Sequence, residues 1–146
     1  MEIGKYEINQ TNERRYWFIS TGRNGHIAKV VDFQETIEIN VFNLAMGDFI
    51  NGKIDYENVT DNGDAIQVLA TIATIVEHYT SFFHGHSIFI TGDTPVKTRL
   101  YQMHILHNLD EIQKSGYLVK GYWYGEFPEP FIKSKNYIAF LVKRAN

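Results

Sequence analysis

The chain has no cysteine, and only three prolines in 146 residues. Without cysteine there is no disulfide framework, no thiolate metal site and no thiol nucleophile. Long apolar runs are also missing: none approaches the roughly 20 residues needed to span a bilayer. Met1-Glu2-Ile3-Gly4-Lys5-Tyr6-Glu7 lacks the apolar core of a signal peptide. No repeat, linker or low-complexity segment interrupts the sequence. Charge of one sign does not dominate, with 14 basic against 17 acidic residues and a net charge of −3. That balance disfavours bulk electrostatic binding to nucleic acid. A cytoplasmic protein with no membrane segment is expected, with its oligomeric state open. No complete catalytic motif is present, so the sequence leaves catalysis undecided and names no cofactor.

What is present suits a globular domain: 44% hydrophobic and 21% charged residues, a length that fits one domain spanning residues 1–146. The charge is unevenly spread. From Asp32 to Glu77 nine acids face Lys53 alone, whereas from Lys114 onward six bases face Glu126 and Glu129. Two faces of opposite sign would favour an acidic partner or head-to-tail contacts; the plainer expectation is that the charges interleave in the fold.

The first forty residues read as β-structure. Arg15–Ser20 is aromatic and β-branched, Gly22-Arg23-Asn24-Gly25 supplies turn residues, and His26–Phe33 follows as the hairpin partner. Thr36–Asn43 alternates apolar and polar residues for four cycles, the cleanest strand signal in the chain. Residues 44–64 carry three glycines and five acids with little periodicity and read as a long irregular loop. Asn62-Gly63-Asp64 opens a helix that ends near Phe82 or Phe83, and Ile88-Phe89-Ile90 suits an interior strand. A second helix runs from Pro95 to about His107, with 108–112 as a short extra turn. Strands over 117–124 and 137–143 finish the chain. The order of four strands, helix, strand, helix and two strands predicts an α+β domain: a mainly antiparallel twisted sheet with two main helices packed on one face. Ile66, Leu69, Ile72, Ala73, Val76, Ile88, Phe89, Ile90, Leu100 and Met103 are the expected core.

The segment from Ser87 to Tyr101 carries the strongest local signal. A strand-like run stops at Gly92-Asp93, Thr94 is placed to cap a helix, and Pro95 occupies its first position, where a missing N–H costs least. Lys97 and Arg99 fall in the opening turns, where bases work against the helix dipole. Thr94, Lys97, Arg99 and Tyr101 are therefore the candidate ligand-binding residues, for an anionic partner such as a nucleotide, nucleic acid or phosphate group. The plainer reading is a capped helix with solvated charges. Arg99 lies beside the expected stripe of Leu100 and Met103, and is expected to clamp a carboxylate of the acidic loop from Asp48 to Asp64.

Three further groups compete. Asp32, Asp64 or Glu77, and Asp93 occur in an order similar to the acids of ribonuclease H-like nucleases, which would make the chain a metal-dependent hydrolase; capping and surface acids explain them more simply. His84-x-His86 and His104-x-x-His107 have spacings a metal could use, but no third ligand is marked and no metal is assigned. Tyr117, Tyr122, Trp123, Tyr124, Phe127 and Phe131 lie near Lys120, Lys133 and Lys135, a mixture able to stack bases or bind a peptide, so a purely protein-interaction domain is a further alternative.

Taken together, Asn43–Asp48, Asn62-Gly63-Asp64 running into Val68–Thr71, Gly92–Tyr101, Leu109–Ile112 and Tyr137–Val142 resemble a family of small uncharacterised bacterial proteins, of a type common among Bacteroidetes, classed only as a domain of unknown function. In that family the central segment usually reads Gly-Ser-Thr followed by Arg-Thr-Arg-Leu-Tyr. Here Asp93 stands where serine is usual and Lys97 where arginine is usual. A carboxylate at 93 would repel a phosphate and is placed to pair with Lys97. The resemblance covers roughly residues 16 to 143 and implies a shared fold with no known activity.

Overall fold

The computed structural model describes residues 4–124 and 127–145. Eleven elements follow one another: β1 (Asn9–Asn12), β2 (Arg15–Gly22), β3 (Gly25–Glu35), β4 (Val41–Ile50), β5 (Lys53–Asp55), α1 (Ala65–Phe82), β6 (Ser87–Ile90), α2 (Pro95–Lys114), β7 (Tyr117–Tyr122), β8 (Glu129–Pro130) and β9 (Ala139–Arg144). Two helices and a mostly antiparallel sheet of nine strands make the described chain α+β. The residues fall into two compact units. One holds the described residues up to Gln34 together with Ala45–Ser81, and the other holds Glu35–Leu44 and the described residues from Phe82 onward.

In the first unit β1, β2 and β3 form an antiparallel ladder, with Trp17 opposite Val30 and Gly22 opposite Gly25 at the turn. The C-terminal part of β4 pairs with β5 in a tight hairpin, Ile50 opposite Lys53. Tyr16, Phe18, Val31, Phe33, Ile72, Ile75 and Tyr79 are buried. Phe33 and Tyr79 stack with ring centroids 3.9 Å apart. The Tyr16 hydroxyl meets His78 Nδ1 at 2.7 Å, and burial pushes its pKa up to about 12.

In the second unit the first residues of β4 run parallel to β6, which pairs with β9, then β7 and β8, all antiparallel. β6 is thus an interior strand, as its apolar run predicts. Ile88, Ile90, Ile105, Leu109, Val119, Phe140 and Val142 are buried here. The His86 ring stacks on Phe42 at 4.2 Å and on Phe83 at 4.8 Å.

Two strand expectations fail for a local reason. Thr36–Asn40 is not strand: its Ile37 and Ile39 are 109% and 88% exposed. Asn40 takes a left-handed φ of 62°, the Thr36 hydroxyl donates to Val41 O at 2.8 Å, and Val41 N donates to Glu38 O, closing a turn that the alternation conceals. The strand begins at Val41 and runs to Ile50, through residues expected to be irregular. The second helix is one continuous element to Lys114, not a helix followed by an extra turn.

The core of α2 also differs from expectation. Thr98, Gln102, Ile105 and Leu109 are its buried residues, while Leu100 and Met103 are exposed. Two polar anchors set this rotation. The Gly92 amide donates to the Thr98 hydroxyl at 3.1 Å; the Gln102 side chain donates to Lys135 O and accepts from Tyr137 N at 2.9 Å. On α1, Ile72 and Val76 are buried as expected, Leu69 and Ala73 are half-buried, and Ile66 is exposed; Phe89 in β6 is half-buried.

Gly22 carries the closest approach in the first unit. A Cβ there would collide with the Asn62 carbonyl, which receives the neighbouring Arg23 amide at 3.3 Å. Gly22→Ala is expected to lower stability by about 1–3 kcal/mol, the usual cost of forcing an extra carbon into a packed site, measured by urea unfolding. A smaller change would mean that the 62 loop yields without cost.

Candidate functional site

The start of α2 is built as its sequence suggests. Thr94 adopts φ −133° and ψ 157°, and its hydroxyl accepts the Lys97 amide at 3.2 Å. Pro95 contributes no N–H, so capping and proline together consume most donors of the first turn. Lys97 Nζ lies 3.0 Å from Asp93 Oδ1, an exposed i,i+4 ion pair. Gly92 fits because a Cβ at that position would lie 2.5 Å from the Thr98 amide nitrogen.

The four residues singled out from the sequence do not converge. The Thr94 hydroxyl accepts the Lys97 amide, and the Lys97 ammonium is paired with Asp93. Tyr101 is half-buried; burial first, and then the Asp93 charge, push its hydroxyl up to about 12. Arg99 is exposed, and among the described residues no hydrogen bond or ion pair holds it. Two helical positions apart, Arg99 and Tyr101 face directions about 200° apart.

Arg99 makes no bond to an acid of the 48–64 segment among the described residues, and four of that segment's five acids are bonded within their own unit. Asp48 is fully buried: its Oδ1 receives Lys29 Nζ at 2.7 Å and its Oδ2 the Thr60 amide at 2.8 Å. Lys29, 1% exposed, also donates to Thr60 O at 2.6 Å. Asp64 Oδ2 receives Ser20 Oγ at 2.5 Å and Tyr6 Oη at 2.6 Å. Asn62 donates to Ser20 Oγ and Gly25 O and accepts the Asn24 amide at 2.7 Å. Asp55 accepts the amides of Glu57 and Asn58, and those bonds, the Asn58 amide first, hold its carboxyl below the usual range. Asp61 pairs with Arg23 at 3.3 Å.

Sequence reasoning overlooked Lys29. Its one signal is a lysine inside the otherwise apolar run from Ile27 to Val31. In a strand buried on both faces, such a residue requires an acid.

The remaining candidates are placed as follows. Asp32 takes a bidentate Arg15 guanidinium at 2.7 and 3.1 Å and the Tyr56 hydroxyl, and the Asp32 bond raises the Arg15 pKa. Asp93 is held by Lys97, and Glu77 is exposed on α1. Among the described residues no three His, Asp or Glu side chains gather into a group able to hold a metal. His84 is exposed and His104 half-buried. Tyr117 is buried, Tyr122 packs edge-on against Phe89, and Phe131 packs on Tyr137 and Phe140. Trp123, Tyr124 and Phe127 are exposed, with Lys135 Nζ 5.8 Å from the Trp123 ring centroid.

The most distinctive surface is the outer face of α2. Val96, Leu100, Met103 and Leu106 are exposed there, Val96 by 71% and Met103 by 45%, with Arg99 among them and Asp110 beyond. These spacings of three and four put one apolar stripe on solvent while the polar Thr98 and Gln102 are buried.

A family model describing a family of unknown function (DUF6934) matches residues 2–145, so the chain belongs to that family. No curated protein and no solved structure matches it. No helix among the described residues is long and apolar enough to cross a membrane.

Lys29→Met is expected to lower stability by about 3–5 kcal/mol, because it leaves the Asp48 carboxylate buried without its cation. The double variant Lys29→Met with Asp48→Leu should recover only part of this, since the Thr60 amide and carbonyl then lack partners. Full recovery in urea unfolding would show that only the charge matters.

Burial, and then the nearby His107, lower the His104 pKa from 6.5. The folded chain thus binds fewer protons than the unfolded one, and stability falls as pH drops below about 6.5 and through the folded value. His104→Gln should reduce the stability loss between about pH 7 and pH 5, as read from unfolding midpoints. An unchanged loss would assign it to other groups.

Proposed function

We propose that the protein is a single-domain binding module of the bacterial cytoplasm, which holds an anionic protein partner against the outer face of α2. One observation carries this reading: an uncompensated Arg99 stands among Val96, Leu100, Met103 and Leu106, all exposed. Solvent exposure of apolar side chains in register along a helix marks a surface used for contact. Arginine set among them supplies a planar donor fork for a partner carboxylate, a group enriched at interface centres. Bases in the opening turns work against the helix dipole, so an external anion stabilises them.

A second reading keeps the ligand small: a nucleotide, nucleic acid or phosphate group at residues 92–101, met by Thr94, Lys97 and the long arm of Arg99, with Tyr101, which faces the other way, left out. The exposed Asp93–Lys97 pair favours it. Such pairs are worth about 0–1 kcal/mol, so a phosphate could displace Asp93. The Asp93 charge opposes that phosphate until it is removed.

In cell extract the wild-type chain is expected to travel in a complex larger than the single chain. Met103→Asp should travel as the single chain with an unchanged unfolding midpoint. A wild-type chain that travels alone in extract and also stays monomeric when purified at up to about 500 µM would overturn the protein-partner reading. Pyrophosphate tested on purified protein decides the second reading. A rise in Tm that Asp93→Ser enlarges and Arg99→Ala abolishes, with Met103→Asp indifferent, would establish it.

A further inference from the structure

We infer that the partner of the α2 outer face is a second copy of this chain, docked antiparallel across a two-fold axis between positions 104 and 105 of the helix. This rests on the protein-partner reading above and names the occupant. Charge and apolar groups along the exposed stripe are arranged to complement a second copy. Arg99 and Asp110 are both exposed, and neither has a hydrogen bond or ion pair among the described residues. They bracket Met103 and Leu106, also exposed.

A two-fold interface is isologous, so whatever one residue meets, its symmetry mate meets in return. With the axis between 104 and 105, one register sets Met103 of each copy against Leu106 of the other. The same register sets Arg99 of each copy against Asp110 of the other, giving two ion pairs. No shift by a helical turn satisfies both conditions, because it moves Arg99 away from the acid at that height. Within one chain the two charges are 11 positions apart, about 16 Å along the helix, too far to pair with each other. A crossing angle near +20° keeps both ends of the contact within reach of an arginine side chain.

The surface is suited to a weak association. One helix of 20 residues offers about 30 Å of length, so the buried area falls in the range of small, transient interfaces. The apolar centre supplies the attraction, and the flanking charges select the antiparallel register and the self-partner.

Sedimentation velocity on purified protein, up to about 500 µM as befits a small interface, tests this. The wild type is expected to show a monomer–dimer equilibrium. Arg99→Asp alone and Asp110→Arg alone should each weaken dimerisation by roughly tenfold or more, since each replaces two attractions by two repulsions. Both changes lie on exposed positions, and circular dichroism checks the fold. An equimolar mixture of the two single variants should associate. In that heterodimer the two substituted positions meet each other with opposite charges, while the native Arg99 of one chain meets the native Asp110 of the other. The double variant R99D/D110R should return to within roughly threefold of wild type. Single variants that dimerise like wild type, or a mixture that stays monomeric, would overturn the inference. A purified wild type that is monomeric throughout would also overturn it. In that last case a larger complex in cell extract, lost in Met103→Asp, leaves the protein-partner reading standing with a different partner.

Discussion

The ion pair between Lys29 and Asp48 is the constraint on which the first unit turns. An ammonium and a carboxylate both removed from water are stable only if their remaining protons and lone pairs are used. Here Thr60 completes the set, its carbonyl taking Lys29 and its amide giving to Asp48. The segment after β5 is therefore held by charge, not by apolar burial. Once Thr60 is fixed, Asn62 reaches the β2–β3 turn and Asp64 reaches Ser20 and Tyr6. Asp64 also lends its carbonyl to the Val68 amide, the first bond of α1. One buried pair thus fixes a loop, and the loop fixes where a helix begins.

The second unit uses the same device with neutral groups. Thr98 and Gln102 face inward on α2 and bond the Gly92 turn and the 135–137 segment. A buried amide or hydroxyl left unpaired costs about 1–3 kcal/mol, so these partners fix the rotation of the helix about its own axis. That rotation leaves Val96, Leu100, Met103 and Leu106 on solvent. The exposed stripe is a consequence of the polar anchors, and a helix turned to bury its most apolar side would orphan both of them.

Much of the fold was legible in the sequence, and two of the failures share one cause. The hairpin of β2 and β3, the start and end of α1, the cap at Thr94 and the interior strand at Ile88–Ile90 all follow from local signals: turn glycines, capping residues, periodicity. At Thr36–Asn40 and on α2, periodicity misleads because polar chemistry overrides it. Ile37 and Ile39 alternate with polar residues, yet Asn40 and the Thr36 hydroxyl close a turn there. Leu100 and Met103 have core spacing, yet Thr98 and Gln102 hold the inward face. The candidate site was legible as a helix start but not as a surface. Which cations are already spent depends on pairings between distant residues, such as Lys29 with Asp48, that no local pattern contains.

The distribution of arginine and lysine partners sharpens what remains at α2. Arg15 is spent on Asp32, Arg23 on Asp61, Lys29 on Asp48, Lys97 on Asp93 and Lys135 on Glu129. Each of these pairs ties the chain to itself within one unit. Arg99, like Lys53, Lys114, Lys120, Lys133 and Lys143, has no such pair among the described residues, although acids are more numerous than bases in the chain, and it alone of these stands within the apolar stripe of α2. Its position explains why: on the outer face of α2 it shares a helical height with no acid, the nearest on that face being Asp110 three turns away. A cation so placed contributes nothing to holding its own helix, and its neighbours Leu100 and Met103 contribute little to the core. Charge and apolar area left unused by the fold at one place, in one register, are what a contact surface requires and what folding alone does not explain.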